Sequence, residues 1–385
     1  MFYLVLSGLI LYAAMMFTFL MGWRKALGGG QRIENTREED FITILVPVRN
    51  EEANIGLLLY DLMTQQDDHF EIIVVNDHSE DNTVSVVKNI QASNTKRMLR
   101  LISLTNSTGK KRAIELGVEH AKGSIIVTTD GDCRINPRWL RSIRACFNEN
   151  SVVMSFGGVR MDQDGSLWSS LQAMEFSSLI GSGASTIALR LPTMCNGANL
   201  AFRKHAFLDV GGYEGNRHVP SGDDEFLLRK LSNRFPGRIR FSPYRDGVVC
   251  TRSQKTFEQF MDQRKRWAGK WRSHTSTDSA VLAVLIFIFH FFLTLSMLWV
   301  LKSGNLFLLA GYLMLRSLPE LIFLRNVMQF LNMRWRWSAF IVLQVIYSPY
   351  VVAFGLLAQG RTYYWKGRTV SSAGHIINAE YVDNG

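Results

Sequence analysis

Close-set carboxylates and one basic-aromatic cluster are the features of this sequence that could do chemistry. Asp130-Gly131-Asp132 places two carboxylates around a glycine. That spacing suits a hard divalent cation, which needs a few protein oxygens and takes its remaining ligands from phosphate and water. The same tripeptide is also an ordinary Asp-Gly turn. Asp77 stands just after Val74-Val75-Asn76, where an Asp is either a ligand group or the cap of the next helix. Ser221-Gly222-Asp223-Asp224-Glu225 sets three acids before Phe226-Leu227-Leu228. Acids favour a helix N-terminus, a role sufficient for Asp223, and a crowd of carboxylates beside a cleft also suits a general base. Gln263, Arg266 and Trp267 fall at i, i+3 and i+4, on one face of a helix. Arg and Trp are equally at home at any membrane interface.

The elements around these residues alternate. Phe41–Val48, Glu71–Val75, Arg100–Leu104 and Ser124–Thr129 read as strands, and Asn54–Thr64, Asn82–Ala92 and Lys110–Ala121 as helices. Strand-helix alternation predicts a parallel sheet with crossover helices, the doubly wound α/β plan. Ligands of such sheets bind beyond the carboxyl ends of the strands. Three of these ends carry polar or acidic residues: Arg49-Asn50-Glu51-Glu52, Asn76-Asp77-His78-Ser79 and Asp130-Gly131-Asp132. No GxGxxG follows the first strand, which disfavours a dinucleotide-binding fold.

The chain has 385 residues, 20% charged and 47% hydrophobic, with a net charge of +10. These values exclude a disordered chain, a collagen and a disulfide scaffold. Polarity is segregated, however. Met1–Trp23, Ala280–Val300 and Ser338–Ala358 contain no Asp, Glu, Lys or Arg, and each is long enough to cross about 30 Å of hydrocarbon. A fourth segment, Asn305–Leu324, carries Arg316 and Glu320. At i, i+4 they are expected to pair and pack inward. The first segment lacks a basic leader and a cleavage site and precedes Arg24-Lys25, so it reads as a retained anchor with the middle of the chain cytoplasmic. Counting four crossings would leave the basic tail on the opposite side, a conflict that a re-entrant late segment would remove. Cys133, Cys146, Cys195 and Cys250 form no CxxC pair and suit reduced thiols. Basic residues gather beside the apolar segments, which fits anionic headgroups and not nucleic acid.

The ordered motifs Val46-Pro47-Val48-Arg49-Asn50-Glu51-Glu52, Val75-Asn76-Asp77-His78-Ser79, Gly109-Lys110, Asp130-Gly131-Asp132, Asn196-Gly197-Ala198-Asn199, Gly222-Asp223-Asp224 and Gln263-Arg264-Lys265-Arg266-Trp267 resemble the membrane-embedded family 2 glycosyltransferases. That group has a GT-A domain and includes cellulose, chitin and hyaluronan synthases and ceramide glucosyltransferases. The resemblance covers residues 41 to 267. Together with the apolar segments it divides the chain into an N-terminal anchor at 1–23, a GT-A α/β domain at 41–252, interfacial helices at 253–278, about three spans in 280–358 and a polar tail at 359–385.

The resemblance also implies roles. Pro47, Asn50, Glu51, Asp77 and Lys110 would line the donor pocket, with Asp130 and Asp132 holding Mg2+ or Mn2+ on the donor diphosphate. Asp224 would be the catalytic base, with Asp223 as second choice. Gln263, Arg266 and Trp267 would close over the diphosphate, Arg266 taking part in catalysis. Asn196, Gly197, Asn199 and Trp267 would border the acceptor. The implied reaction is inverting transfer from a nucleotide sugar, a UDP-sugar first, to a membrane lipid at the cytoplasmic face of a bacterial inner membrane. A processive polysaccharide synthase is the alternative. Sugar identity and oligomeric state are not specified by these motifs.

Overall fold

A computed structural model describes residues 2–28, 40–93, 97–217, 219, 221–269 and 277–357, with the backbone of 362–365, 368–371 and 376–377. Residues 270–276 of the expected interfacial segment, and most of the expected tail, lie outside the described residues.

After α1 (Phe2–Leu27), the chain runs β1 (Ile42–Val48), α2 (Ile55–Met63), β2 (Phe70–Asn76), α3 (Thr83–Ser93), β3 (Met98–Ser103), α4 (Lys110–His120) and β4 (Ile125–Thr128). β1, β2 and β4 are almost wholly buried. They are therefore continuous apolar runs instead of alternating ones, as parallel strands covered on both faces must be. Pro47 sits within β1, an interior strand, without breaking it. β4 pairs with β1 only as far as Leu45, opposite Thr128, and the Leu45 carbonyl accepts from Thr129 N–H. Two residues on, the missing Pro47 N–H faces the side that β4 has already vacated.

The chain continues through α5 (Trp139–Cys146), β5 (Met154–Phe156), β6 (Val159–Met161), α6 (Leu167–Ala188), β7 (Leu200–Arg203), α7 (Lys204–Asp209), α8 (Asp223–Arg234), β8 (Ile239–Phe241), β9 (Val249–Thr251) and α9 (Phe257–Gly269). The main sheet has the order β3-β2-β1-β4-β7-β5-β8. β7 runs antiparallel to both neighbours, so the sheet is mostly parallel with one reversed strand. β6 and β9 form a separate pair.

Three further long helices follow: α10 (Thr277–Ser303), α11 (Leu306–Phe330) and α12 (Trp337–Leu357). With α1 they make four helices long and apolar enough to cross a membrane. α1 is not a detached anchor, since it runs on to Leu27 and its Trp23 is buried between Phe241 and Phe330, at 5.6 and 5.3 Å between ring centroids. α6 crosses both α1 and α11 through small residues. A Cβ on Gly22 would come within 2.7 Å of the Ser185 carbonyl, and one on Gly181 within 2.5 Å of Val327. Backbones approach this closely only where side chains are absent.

Arg316 and Glu320 do pack inward, but they do not form the expected mutual pair. Arg316 donates to Ser348 Oγ at 2.9 Å. Glu320 accepts from Tyr12 Oη at 3.1 Å and Gln344 Nε2 at 3.0 Å. Arg316 thus ties α11 to α12, and Glu320 ties it to both α1 and α12. α12 lies against α6 and α9, and the strand after it, β10 (Thr362–Trp365), also lies against α9. β10 pairs with β11 (Arg368–Ser371), which pairs with β12 (Ile376–Ile377).

Candidate active site

The carboxyl ends of β1, β2 and β4 and the N-terminus of α4 surround a cavity of about 140 Å³. It is bounded by Pro47, Val48, Arg49, Glu51, Asp77, Lys110, Asp130, Gly131, Asp132 and Arg266. A larger groove of about 360 Å³ between α1 and α11 has no charged residue in its lining and offers no acid-base chemistry.

The β1 and β2 ends are knitted together. Arg49, buried although charged, donates to the carbonyls of Asp77 at 3.1 Å and His78 at 2.5 Å and to Glu80 at 2.9 Å. Asn50 takes a left-handed backbone with φ of 51°, which asparagine tolerates better than most residues. Its N–H donates to Ser79 Oγ and its side-chain oxygen accepts from Glu80 N–H. Glu51 is buried, with its N–H on Thr83 Oγ1 at 2.7 Å and its carboxylate on Asn54 Nδ2 at 2.8 Å. Asp77 accepts from Gly109 N–H at 3.0 Å. That bond fixes the residue before Lys110, where φ of 100° calls for glycine.

Lys110 is the hub. Its Nζ lies 2.6 Å from Asp130 Oδ1 and 3.2 Å from Asp223 Oδ2. Burial works to lower its pKa, but Asp130 and then Asp223 outweigh it and hold the amine above the ordinary lysine range. The ammonium therefore stays charged at any physiological pH. Asp223 is buried and faces Lys110, so helix-end stabilisation does not exhaust its role. The residue before α8, Gly222, adopts the left-handed conformation at φ of 80°, which glycine takes without strain. Asp224 accepts from Gly197 N–H at 3.2 Å and from Glu225 N–H at 2.8 Å. Gly197 is wedged here, because a Cβ would stand 2.8 Å from Asp223 Oδ2 and 3.2 Å from Lys110 Nζ.

Of the residues expected in the site, Pro47, Glu51, Asp77, Lys110, Asp130, Asp132 and Arg266 line the cavity. Asn50 instead shapes the neighbouring loop. Asn199, expected on the acceptor side, is turned into the core. It accepts from Trp139 Nε1 at 2.9 Å and donates to the Gly158 and Gly247 carbonyls at 2.9 and 2.8 Å. Three hydrogen bonds in a buried setting make it a structural clamp. Asn196 caps its own short turn through Ala198 N–H. Gln263 accepts from Arg264 at 2.6 Å. Trp267 packs 5.8 Å from Phe176.

Sequence reasoning missed Arg49 and Arg264. Arg49 had a signal in its place between strand and acids. Arg264 had none, since Arg264, Lys265 and Arg266 are adjacent basic residues whose faces only the packing distinguishes.

Asp130 and Asp132 meet the test for a hard cation. Both are oxygen donors on the cavity wall, and Asp132 is steadied by Thr251 Oγ1 at 3.2 Å. Among the described residues no group of three His, Cys, Asp or Glu is arranged to hold a metal. A cation here would thus depend on ligands from a bound phosphate, the usual arrangement for Mg2+.

Residues 43–211 match the family model described as Glycosyl transferase family 2. The undecaprenyl-phosphate 4-deoxy-4-formamido-L-arabinose transferase of Shewanella sediminis is 29% identical over 116 residues, covering 29% of this chain and 35% of that protein. The poly-beta-1,6-N-acetyl-D-glucosamine synthase of Staphylococcus aureus is 26% identical over 239 residues, covering 61% of this chain and 55% of that protein. The chain thus spans little more than a third and about half of these relatives. A mannosyltransferase from Pyrobaculum calidifontis, solved in complex with GDP-Man and Mn2+, superposes with a TM-score of 0.55 at 17% identity, covering 92% of this chain and 98% of that one. At that identity the likeness shows the fold, which is GT-A. The match stops before the acids of α8 and before α9, but it takes in the strand ends, Lys110, Asp130 and Asp132, so the part of the site on the sheet lies within residues that match a family 2 glycosyltransferase domain.

Proposed function

We propose that this protein transfers a sugar from a nucleotide-sugar donor to a membrane lipid acceptor with inversion at the anomeric carbon. The observation that carries the reading is the Lys110 hub, which joins Asp130, one of the two carboxylates flanking Gly131, to Asp223 at the start of α8. Donor and acceptor halves of a transfer site would meet there.

In this reading Pro47, Glu51 and Asp77 hold the nucleoside end of the donor. A divalent cation on Asp130 and Asp132, when bound, supplies Lewis-acid neutralisation of the diphosphate. Arg266 reaches the same cavity from α9 and adds a fixed guanidinium fork to the charge that grows on the leaving group. Asp224 takes the proton of the attacking hydroxyl. The backbone N–H groups of Gly197 and Glu225 donate to it and orient the carboxylate for that proton. Lys110 stands between Asp130 and Asp223 and fixes their spacing. Gly197 and Asn196 border the acceptor.

Four apolar helices, three of them packed on α6, and a relative named as an undecaprenyl-phosphate transferase, support a lipid acceptor. A second reading, a polysaccharide synthase, is favoured by the relative that aligns over more of the chain. The test is purified protein in nanodiscs with Mn2+, a panel of UDP- and GDP-sugars and a membrane-lipid extract, following nucleoside diphosphate release and product size. A small organic-extractable product supports the first reading and a long water-soluble one the second. Asp224→Asn should abolish transfer with nucleotide binding kept, and wild-type turnover in that variant would refute the base assignment.

A further inference from the structure

α9 carries a second arginine, two residues before Arg266, whose surroundings are unlike those of any other basic side chain near the cavity. Arg264 is buried. Its Nε donates to Tyr350 Oη of α12 at 3.0 Å, one terminal nitrogen donates to Glu175 of α6, and the other donates to Gln263 at 2.6 Å. The guanidinium also lies over two rings of its own helix, 4.5 Å from the centroid of Phe260 and 4.3 Å from that of Trp267. Glu175 is buried as well and accepts in addition from Tyr350 Oη at 3.4 Å.

An ion pair this buried is costly to desolvate and is weak evidence for stability, but it fixes geometry strongly. The planar fork, satisfied on three sides and stacked on two rings, leaves α9 one rotation about its axis. At 100° per residue, positions i and i+2 point about 200° apart. With Arg264 held against α6 and α12, Arg266 must face the opposite way, and that is where the cavity lies. The Ser221 hydroxyl, next to Gly222 and the acids, donates to the Arg266 carbonyl at 3.4 Å.

We propose that Arg264, clamped by Glu175 and Tyr350, is a positioning residue for the transfer reaction: it sets the rotation of α9 and so presents Arg266 to the cavity, linking the catalytic helix to α12. This rests on the transferase reading above. Arg264 touches no reacting atom, so its effect must pass through Arg266.

The test is a double-mutant cycle on the full chain in nanodiscs. Arg264→Met should lower kcat by about 30- to 100-fold, the scale on which a misplaced group lowers a rate, with donor KM changed less than about threefold. Glu175→Gln, which keeps shape, should lower it about tenfold. On an Arg266→Ala background either change should cost less than about threefold, because the route is already lost. Losses that multiply fully on that background would overturn the proposal by showing a separate, structural contribution. If Arg264→Met does not fold, the Glu175→Gln cycle carries the same decision. Silence of the wild type with every nucleotide sugar would sink the transferase reading alone. Hydrogen exchange at 257–269 then decides: exchange raised tenfold or more by Glu175→Gln upholds the clamp, and unchanged protection overturns it.

Discussion

Gly197→Ala tests the assembly of the site at its tightest point. The glycine is pinned on both sides. Its N–H donates to Asp224 Oδ2 at 3.2 Å and its carbonyl accepts from Thr128 Oγ1 at 2.9 Å, so the backbone has little room to withdraw. An added Cβ would stand 2.8 Å from Asp223 Oδ2, and ordinary van der Waals contact begins at 3.4 Å. The carboxylate must therefore retreat by about 0.6 Å, beyond the ~0.5 Å within which a catalytic constellation has to be held. The same methyl meets Lys110 Nζ at 3.2 Å, so the ammonium moves too and carries the strain to Asp130. Turnover should fall about 10- to 100-fold, equivalent to about 1.4–2.7 kcal/mol in the barrier. Nucleoside diphosphate affinity should fall by less than turnover does, because Lys110 and Asp130 bound the donor cavity but are reached only through the displaced ammonium. Thermal stability should change little, since the displaced atoms are the ends of side chains. Coupled detection of nucleoside diphosphate release gives kcat, and calorimetry gives the affinity. A variant with wild-type kcat would refute the reasoning that Asp223, Asp224 and Lys110 act as one fixed group.

Further outcomes follow from other parts of the molecule. Removing divalent cations with a chelator should weaken nucleotide-sugar binding and stop turnover, with recovery on adding Mn2+. Full activity in the chelator would remove the metal role from Asp130 and Asp132. Far from the cavity, Asp67 accepts from Arg144 Nε and Nη2 at 2.9 and 3.0 Å, both side chains being buried. Asp67→Asn should therefore destabilise by about 3–5 kcal/mol and lower Tm without changing donor affinity. Burial alone would raise the pKa of Asp67, but the Arg144 hydrogen bonds prevail and lower it. The wild-type advantage is thus fully present above about pH 4, the unfolded aspartate value, and vanishes as pH falls through the lower native pKa. A Tm difference that did not shrink as pH falls from about 5 to about 2 would contradict this. β10 lies against α9, so Tyr364→Cys in a chain freed of its four native cysteines should react with an impermeant maleimide from the same side of the membrane as Glu52→Cys. Labelling from opposite sides would separate the tail from the catalytic domain.

The strand-helix alternation from Ile42 to Thr128 was legible in the sequence. Parallel strands buried on both faces make mostly apolar runs, their few polar members such as Thr43 and Glu71 bonded to each other, and the β1, β2 and β4 runs end where a polar or acidic motif begins. Asp77, Asp130 and Asp132 could be assigned to one edge for the same reason, since every parallel strand delivers its carboxyl end to the same side. The four apolar segments were equally plain, because a helix facing hydrocarbon cannot carry unpaired charge.

Facing, by contrast, was decided by packing. Asn196 and Asn199 are chemically identical, yet a short turn sends one to cap a backbone N–H and the other to bond Trp139 in the core. Four residues, Leu200–Arg203, reverse the sheet with no periodic signal of their own, since the partners on either side supply the register. Asp223 passed for a helix-end acid until Lys110 lay beside it. Arg316 and Glu320 stand at a spacing that permits a pair, but neighbouring helices offered each a better-satisfied partner. Arg264 and Arg266 differ only in which side of α9 meets α6. Residue type and strand order thus determined the fold and the chemical inventory of the site. Contacts between segments far apart in the chain, which no local pattern records, decided which side chains that chemistry reaches.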